Sequence, residues 1–171
     1  DHVLDLACGT GTLTIMLKQA SPQAEIVGID GDAKILKIAK SKAERAGLEI
    51  RFDEGMSSSL PYKEDTFDRV VSSLFFHHLT TDSKLQTLRE VRRVLKPDGE
   101  IHIADWGRPA SSLMKLSSRL IQILDGYQTT ADSFGGRLPE LMADAGFEQI
   151  AETNQFNTLF GTVRMHRSGA S

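Results

Sequence analysis

Short continuous apolar runs alternate along the chain with longer segments whose apolar residues recur every three or four positions. HVLDLA (2–7), just ahead of two glycines, reads as a buried strand. In TLTIMLKQA (12–20), Leu13, Met16 and Leu17 mark a helix, which Ser21-Pro22 closes. EIVGID (25–30) is a second strand. DAKILKIAKSKAERAG (32–47) places Ile35, Leu36, Ile38 and Ala39 on one helical face, with Gly47 as its C-terminal stop. EIRF (49–52) and FDRVVSSL (67–74) read as strands three and four. DSKLQTLREVRRVLKPDG (82–99) sets Leu85, Leu88, Val91 and Leu95 on one face and stops at Pro97-Asp98-Gly99. EIHIAD (100–105) is the fifth strand, and SLMKLSSRLIQIL (112–124) and LPELMADAG (138–146) read as helices. FEQIAET (147–153) and TLFGTVRMHR (158–167), joined by a short polar turn, close the chain as a β-hairpin.

Strand–helix alternation predicts an α/β fold, a doubly wound sheet with helices on both faces. The last two strands have too short a connection for a parallel crossover, so one of them runs antiparallel. The 171 residues suit one domain, and neither an internal repeat nor a linker divides them. A chain of this length with 40% hydrophobic residues buries a core without disulfides. Its net charge of −3 argues against a general attraction to nucleic acid. The one cysteine, Cys8, forms no internal disulfide and points to a reducing compartment, the cytoplasm. No apolar run reaches membrane-spanning length, and no signal-peptide pattern opens the chain. The sequence starts at Asp1, already inside a strand-like run, which implies an N-terminal segment ahead of it.

The first strand hands over to the first helix through DLACGTGTL (5–13). Glycines there let the backbone turn tightly and approach a ligand that a Cβ would block. The helix start adds free N–H groups, and ligands of open α/β sheets bind beyond the carboxyl ends of the strands. A dinucleotide fingerprint would put Gly or Ala at the third place, where Thr14 stands after Gly9 and Gly11. Asp5, four residues before Gly9, would repel a pyrophosphate but suits a cationic amino acid group.

These residues resemble the first motif of the class I S-adenosylmethionine-dependent methyltransferases, acid-x-x-x-Gly-x-Gly after strand one. The resemblance runs from Asp1 to about Phe147 and more loosely to the end. LPYKEDTFDRVV (60–71), LFFHHL (74–79), VRRVLKPDGEIHIAD (91–105) and FGGRLPELMADAGF (134–147) follow in the family's order, the last similar to the quinone-biosynthesis methyltransferases. It implies a Rossmann-like, seven-stranded, mostly parallel sheet with an antiparallel C-terminal hairpin. It also implies that Asp5 and the backbone of Ala7, Cys8, Gly9, Thr10 and Gly11 hold the methionine portion of the cofactor. Asp30, with Gly31 and Asp32 beside it, would take the ribose, two acceptor oxygens matching a vicinal diol. Met56 and Ser57 would border the adenine, and Ser73 closes strand four beside the cofactor. Where the family has Gly-Asp after strand three this chain has Gly55-Met56, which removes a contact to the adenine amino group; Asp53 or Glu54 could replace it if the loop register differs. The product would be S-adenosylhomocysteine and the acceptor a small, partly apolar molecule, covered by 106–135 and by the N-terminal segment.

An acceptor that must lose a proton has His78, His77 and Asp105 as candidate bases near strand ends, against the competing reading of packed, hydrogen-bonded rings. Adjacent histidines with no Cys or carboxylate at ligand spacing predict no metal site. Cys8 reads as a small packing residue rather than a nucleophile. Ser72-Ser73-Leu74 lacks the Asn/Asp-Pro-Pro-aromatic run of nucleic acid amino-methyltransferases and the acid of metal-dependent catechol-type members. Phe75, Phe76, Trp106, Met114, Tyr127 and Phe134 line a substrate pocket or pack in the core, and REVRR (89–93) reads as a solvated helix face. Two alternatives remain. One is an NAD(P)-binding oxidoreductase, although neither Tyr62 nor Tyr127 has a lysine four residues on; the other is a non-catalytic scaffold of the same fold. Oligomeric state is not set by these patterns.

Overall fold

The structure, a computed structural model, describes residues 1–107, 136–158 and 162–170. In chain order these form β1 (His2–Leu6), α1 (Thr12–Ala20), β2 (Glu25–Asp30), α2 (Ala33–Arg45), β3 (Arg51–Glu54) and β4 (Phe67–Ser73). A 3-10 turn (Phe76–His78), α3 (Thr81–Val94), β5 (Leu95–Gly107), α4 (Leu138–Asp144), β6 (Glu148–Asn157) and β7 (Thr162–Gly169) follow. The strands make one seven-stranded sheet in the order β3-β2-β1-β4-β5-β7-β6. Neighbouring pairs from β3 to β5 are parallel, whereas β7 runs antiparallel to both β5 and β6. The mostly parallel sheet and reversed hairpin are those expected. The helix at 112–124, Met114, Tyr127, Phe134 and all of the 106–135 segment beyond Gly107 lie outside the described residues.

Alternation along each strand sends successive side chains to opposite faces. On one face Leu4, Leu6, Val27, Ile29, Val70, Ile101 and Ile103 join Leu88, Val91 and Val94 of α3 and Leu141 and Met142 of α4 in the main core. On the other, Leu36, Ala39 and Ala43 of α2 close over Phe52 and Cys8. Three boundaries moved from their expected places. Strand three is Arg51–Glu54 rather than 49–52, because Phe52 pairs opposite Gly28 and fills the space that a Cβ there would occupy. The buried stripe of α2 is Leu36, Ala39 and Ala43, leaving Ile38 exposed. The third helix stops at Val94, and Leu95 enters β5 to pair with Phe67.

The turn order sets the site. From β1 the chain steps outward through β2 to β3, then returns to β4 beside β1 and steps the other way to β5. The reversal opens a crevice at the carboxyl ends of β1 and β4, the position where open α/β sheets bind ligands.

REVRR is not a solvated face. Glu90 accepts from the Leu60 amide at 2.7 Å, and Arg93 donates to the carbonyls of Tyr62 at 2.8 Å and Leu60 at 3.1 Å while pairing with Glu90. Arg92 donates to the Gly146 carbonyl at 2.8 Å. The helix thus pins the irregular 60–62 segment, whose backbone groups lack a strand or helix partner and need these side chains. Arg93→Ala is expected to destabilise the chain by about 1–3 kcal/mol, since it strips two carbonyls and a carboxylate of a charged donor. Urea unfolding checks this, with Arg89→Ala, an exposed neighbour, expected to change stability by less than about 0.5 kcal/mol.

Candidate active site

The stretch after β1 takes the left-handed backbone conformation at three alternate residues, Ala7 (φ 56), Gly9 (φ 54) and Gly11 (φ 73). Cys8 N donates to Ile29 O at 2.9 Å and Gly11 N to Cys8 O at 2.9 Å, which folds the loop back before Ile15 N bonds Gly11 O and α1 begins. Gly11 could not be replaced freely, because a Cβ there would stand 2.9 Å from that of Ala39. Ala7 and Leu74 (φ 54) are non-glycine residues held in this costly conformation, and both line the same cavity.

Asp30 ends β2 and holds the loop in place. One carboxylate oxygen accepts from Gly9 N at 2.9 Å and the other from Asp32 N at 3.0 Å. Its backbone carbonyl accepts from Gly55 N at 3.1 Å. One residue therefore ties together the connections that follow β1, β2 and β3.

Behind the loop lies Asp5, 1% exposed, which accepts a hydrogen bond from the Thr14 hydroxyl at 2.6 Å. Burial pushes its carboxyl up from an ordinary 3.8 to about 6; the Thr14 bonds oppose this and the charge of Asp30 adds to it. Thr14, the residue that spoils a dinucleotide fingerprint, is what satisfies the buried acid. Cys8 is buried as well. Burial, then the charges of Asp5 and Asp30, push its thiol up to about 12, so it stays protonated and cannot act as a nucleophile at neutral pH.

A cavity of about 560 Å³ opens between these connections and the end of β4. Ala7, Asp30, Gly31, Met56, Ser57 and His78, all named from the sequence, line it. Ile35, Leu74, Phe75 and Leu79 complete much of its apolar wall. The sequence pattern places Ile35 on the apolar face of its helix and Leu74 at the end of a strand; nothing local marks either as cavity-facing. Asp5, Cys8, Gly9 and Gly11 form the support behind this wall rather than the wall itself, and Ser73 ends β4 outside it. Thr10 is exposed, and its hydroxyl and that of Thr12 accept from Lys42 at 3.3 and 2.6 Å.

Other candidates fall elsewhere. His77 and Asp105 are 5% and 2% exposed and bind each other. Asp105 accepts from the His77 amide at 2.9 Å, and its second oxygen lies 2.7 Å from the ring Nδ1 and also accepts from Trp106 N at 2.7 Å. The His77 amide and Nδ1 are thus turned toward Asp105, and neither residue lines the cavity. Their pairing anchors the 3-10 turn, and the His77 ring lies 3.9 Å from that of His78, the member that lines the cavity. Phe76 is fully buried in the core, whereas Phe75 lines the cavity and Trp106 a smaller one beside β7. Asp53 is engaged by Arg51 at 2.9 Å and by the Tyr62 hydroxyl at 3.0 Å, and neither it nor Glu54 lines the cavity. No group of three or more His, Cys, Asp or Glu could hold a metal among the described residues, and no helix there is long and apolar enough to cross a membrane.

The residues present suit an adenosyl amino acid. The volume lies within the roughly 300–1,000 Å³ of pockets that enclose small ligands. An ionised carboxylate offers about four acceptor directions, so the two backbone bonds to Asp30 leave one on each oxygen for neighbouring hydroxyls. Comparison with known proteins agrees. Residues 3–99 match the model of the methyltransferase domain. The chain is 33% identical, over 173 aligned positions, to a demethylmenaquinone methyltransferase of Lactobacillus johnsonii, covering 90% of this chain and 70% of that protein. It is 39% identical to a demethylmenaquinone methyltransferase of Thermus thermophilus over 119 positions, 70% of this chain and 53% of that one. Among solved structures, the YcgJ protein of Bacillus subtilis superposes with a TM-score of 0.76 at 25% identity, over 92% of this chain and 65% of that one. An S-adenosylmethionine-dependent methyltransferase of Methanosarcina mazei shares the fold with a TM-score of 0.78 at 20% identity, over 99% and 92% of the two chains.

Fold and site define a class I S-adenosylmethionine-dependent methyltransferase. The chain belongs to the methyltransferase-domain family and is similar to its quinone-biosynthesis group. The oxidoreductase and scaffold readings find no support.

Asp5 carries a testable cost. With a folded-state pKa raised to about 6 over 3.8, the folded chain binds a proton more readily than the unfolded chain between those values. Stability therefore rises as pH falls from about 6 toward 4, and above pH 6 the buried charge is a net burden. Asp5→Asn, which keeps an acceptor for Thr14, is expected to stabilise the ligand-free chain by up to about 3 kcal/mol at pH 7.5. The gain should shrink toward zero near pH 4, as followed by thermal unfolding across pH.

Proposed function

We propose that this chain binds S-adenosylmethionine in the cavity between Ala7, Asp30, Met56 and His78, and methylates a small, partly apolar acceptor of the quinone-ring type at a ring carbon. The observation that carries the reading is Asp30, whose carboxylate fixes the glycine loop and still faces the cavity. The acceptor class rests on relatives named demethylmenaquinone methyltransferase and, at 28% identity, a ubiquinone/menaquinone biosynthesis C-methyltransferase of Pasteurella multocida, of which the chain spans 68%. The single buried cysteine supports a reducing, cytoplasmic setting.

The bound cofactor supplies a methyl group on a sulfonium, an electrophile that needs no activation by the protein. The chain's own work is to hold two partners in line and keep water out. Ala7 and the glycine loop backed by Asp5 would accommodate the amino acid portion, Asp30 the ribose hydroxyls, and Leu74, Phe75 and Leu79 an apolar acceptor face. Carbon methylation releases a ring proton, and His78, on the cavity wall, would receive it on an imidazole nitrogen. His77 and Asp105 act as positioning residues, fixing the turn that presents His78. The segment 106–135 is assigned the acceptor's cover on sequence grounds.

Two measurements test this. In calorimetric titration with S-adenosylhomocysteine, Asp30→Ala is expected to weaken binding by at least about tenfold, since it removes hydrogen bonds to a charged acceptor. In single-turnover assays with a reduced, short-chain demethylmenaquinol, His78→Ala should slow methyl transfer about 10²–10⁴-fold. Its affinity for S-adenosylhomocysteine should stay within about threefold; an unchanged transfer rate would remove His78 from the mechanism.

A further inference from the structure

The cavity beside β7 holds about 270 Å³ and shares no described residue with the larger one. Strand register gathers its polar groups. His166 pairs opposite Ile103 of β5 and Glu152 of β6, and Arg164 pairs opposite Asp105. Two residues apart on β7, Arg164 and His166 point to the same face of the sheet. Trp106, Leu138 and Pro139 supply the apolar wall. Arg164 Nη1 donates to both oxygens of Glu152, at 2.6 and 2.7 Å, so the two charges are spent on each other. Gly107 makes room for that pair, since a Cβ there would collide with the Arg164 side chain.

His166 is different. It is 6% exposed, and its Nδ1 is the one buried side-chain nitrogen or oxygen among the described residues with no hydrogen-bond partner. Burial holds the ring's pKa below its ordinary 6.5, with the charge of Glu152 opposing and that of Arg164 adding, so the imidazole is neutral at pH 7. Buried polar atoms in folded chains nearly always have partners, and an orphan in a cavity wall marks a place for one from outside the chain.

We propose that this cavity is a further ligand site, which seats a neutral ring bearing a hydroxyl group, phenol in the simplest case, with the hydroxyl bonded to His166. Neutral imidazole carries one N–H and one bare nitrogen, and a hydroxyl both donates and accepts, so it satisfies the ring in either tautomer. An ionic ligand gains less, because Arg164 and Glu152 already neutralise each other and a buried charge without a partner is costly. The volume falls just under the roughly 300–1,000 Å³ of pockets for drug-sized ligands, which suits a single ring against Trp106, Leu138 and Pro139. The Trp106 amide donates to Asp105, the carboxylate that also fixes the turn carrying His78. The site therefore stands one residue from a support of the larger cavity.

Trp106 is the only tryptophan of the chain, so its fluorescence, excited where phenol does not absorb, reports on this site. The test is titration with phenol and with toluene, a ring of like size that lacks the hydroxyl. Phenol is expected to change the emission saturably, with a dissociation constant on the order of millimolar. Toluene should bind at least about fivefold more weakly, and His166→Phe should bring the two affinities within about twofold of each other. If that variant does not fold, the wild-type chain answers alone: the ring nitrogen resonances of His166 should move with phenol and hold with toluene. No saturable change with phenol leaves the cavity to water and overturns the proposal, as does equal affinity for the two rings or a phenol preference that survives His166→Phe. Displacement of phenol by S-adenosylhomocysteine would put the ring in the larger cavity and overturns it too.

Discussion

The carboxylate at the end of β2 is the constraint on which the site depends. Asp30 takes an amide from the loop after β1, an amide from the start of α2 and, through its backbone carbonyl, an amide from the connection after β3. These three connections leave the sheet beside the point where strand order reverses. Without that residue the left-handed turns at Ala7, Gly9 and Gly11 would lose the partner that makes them one conformation among many. Charge-assisted hydrogen bonds of this kind are about twice as strong as neutral ones.

The same corner is electrostatically uneasy. Asp5 is buried one strand away with the Thr14 hydroxyl and backbone amide to receive its charge, and the negative charge of Asp30 works against it. A core of Leu4, Leu6, Val27, Ile29 and their neighbours on the opposite face of the sheet makes that tolerable. The ligand-free chain carries the cost of that buried charge above about pH 6. The 3-10 turn at the other side of the cavity is built on the opposite logic. There Asp105 accepts from the His77 amide and pairs with its ring Nδ1, which fixes the turn that carries His78.

The α/β architecture was legible because its evidence is periodic: four strand–helix units and a short final connection point to one mostly parallel sheet. The glycine loop and Asp30 were legible as well, since a tight turn and a strand-terminal acid are local signals. What failed were properties set by contacts distant in sequence. REVRR carries the charges of a solvated helix, but Glu90 and Arg93 meet the backbone of residues about thirty positions earlier. His77, His78 and Asp105 all lie near strand ends, yet only the folded arrangement shows that two of them consume each other and the third lines the cavity. Strand three slid two residues because the pairing of Phe52 with Gly28, not local propensity, sets its register.

A second cavity of about 520 Å³ lies at the amino-terminal ends of β2 and β3, among Lys18, Glu25, Glu49 and Arg51, and it provides an internal control. The most direct measurement is amide NMR mapping of the labelled chain titrated with S-adenosylhomocysteine. The account predicts the largest shifts at Cys8, Gly9, Gly11, Gly31, Asp32 and Met56, with Lys18, Glu49 and Arg51 unmoved. Saturable shifts confined to the second cavity, or none at the Asp30 junction at millimolar ligand, would contradict it.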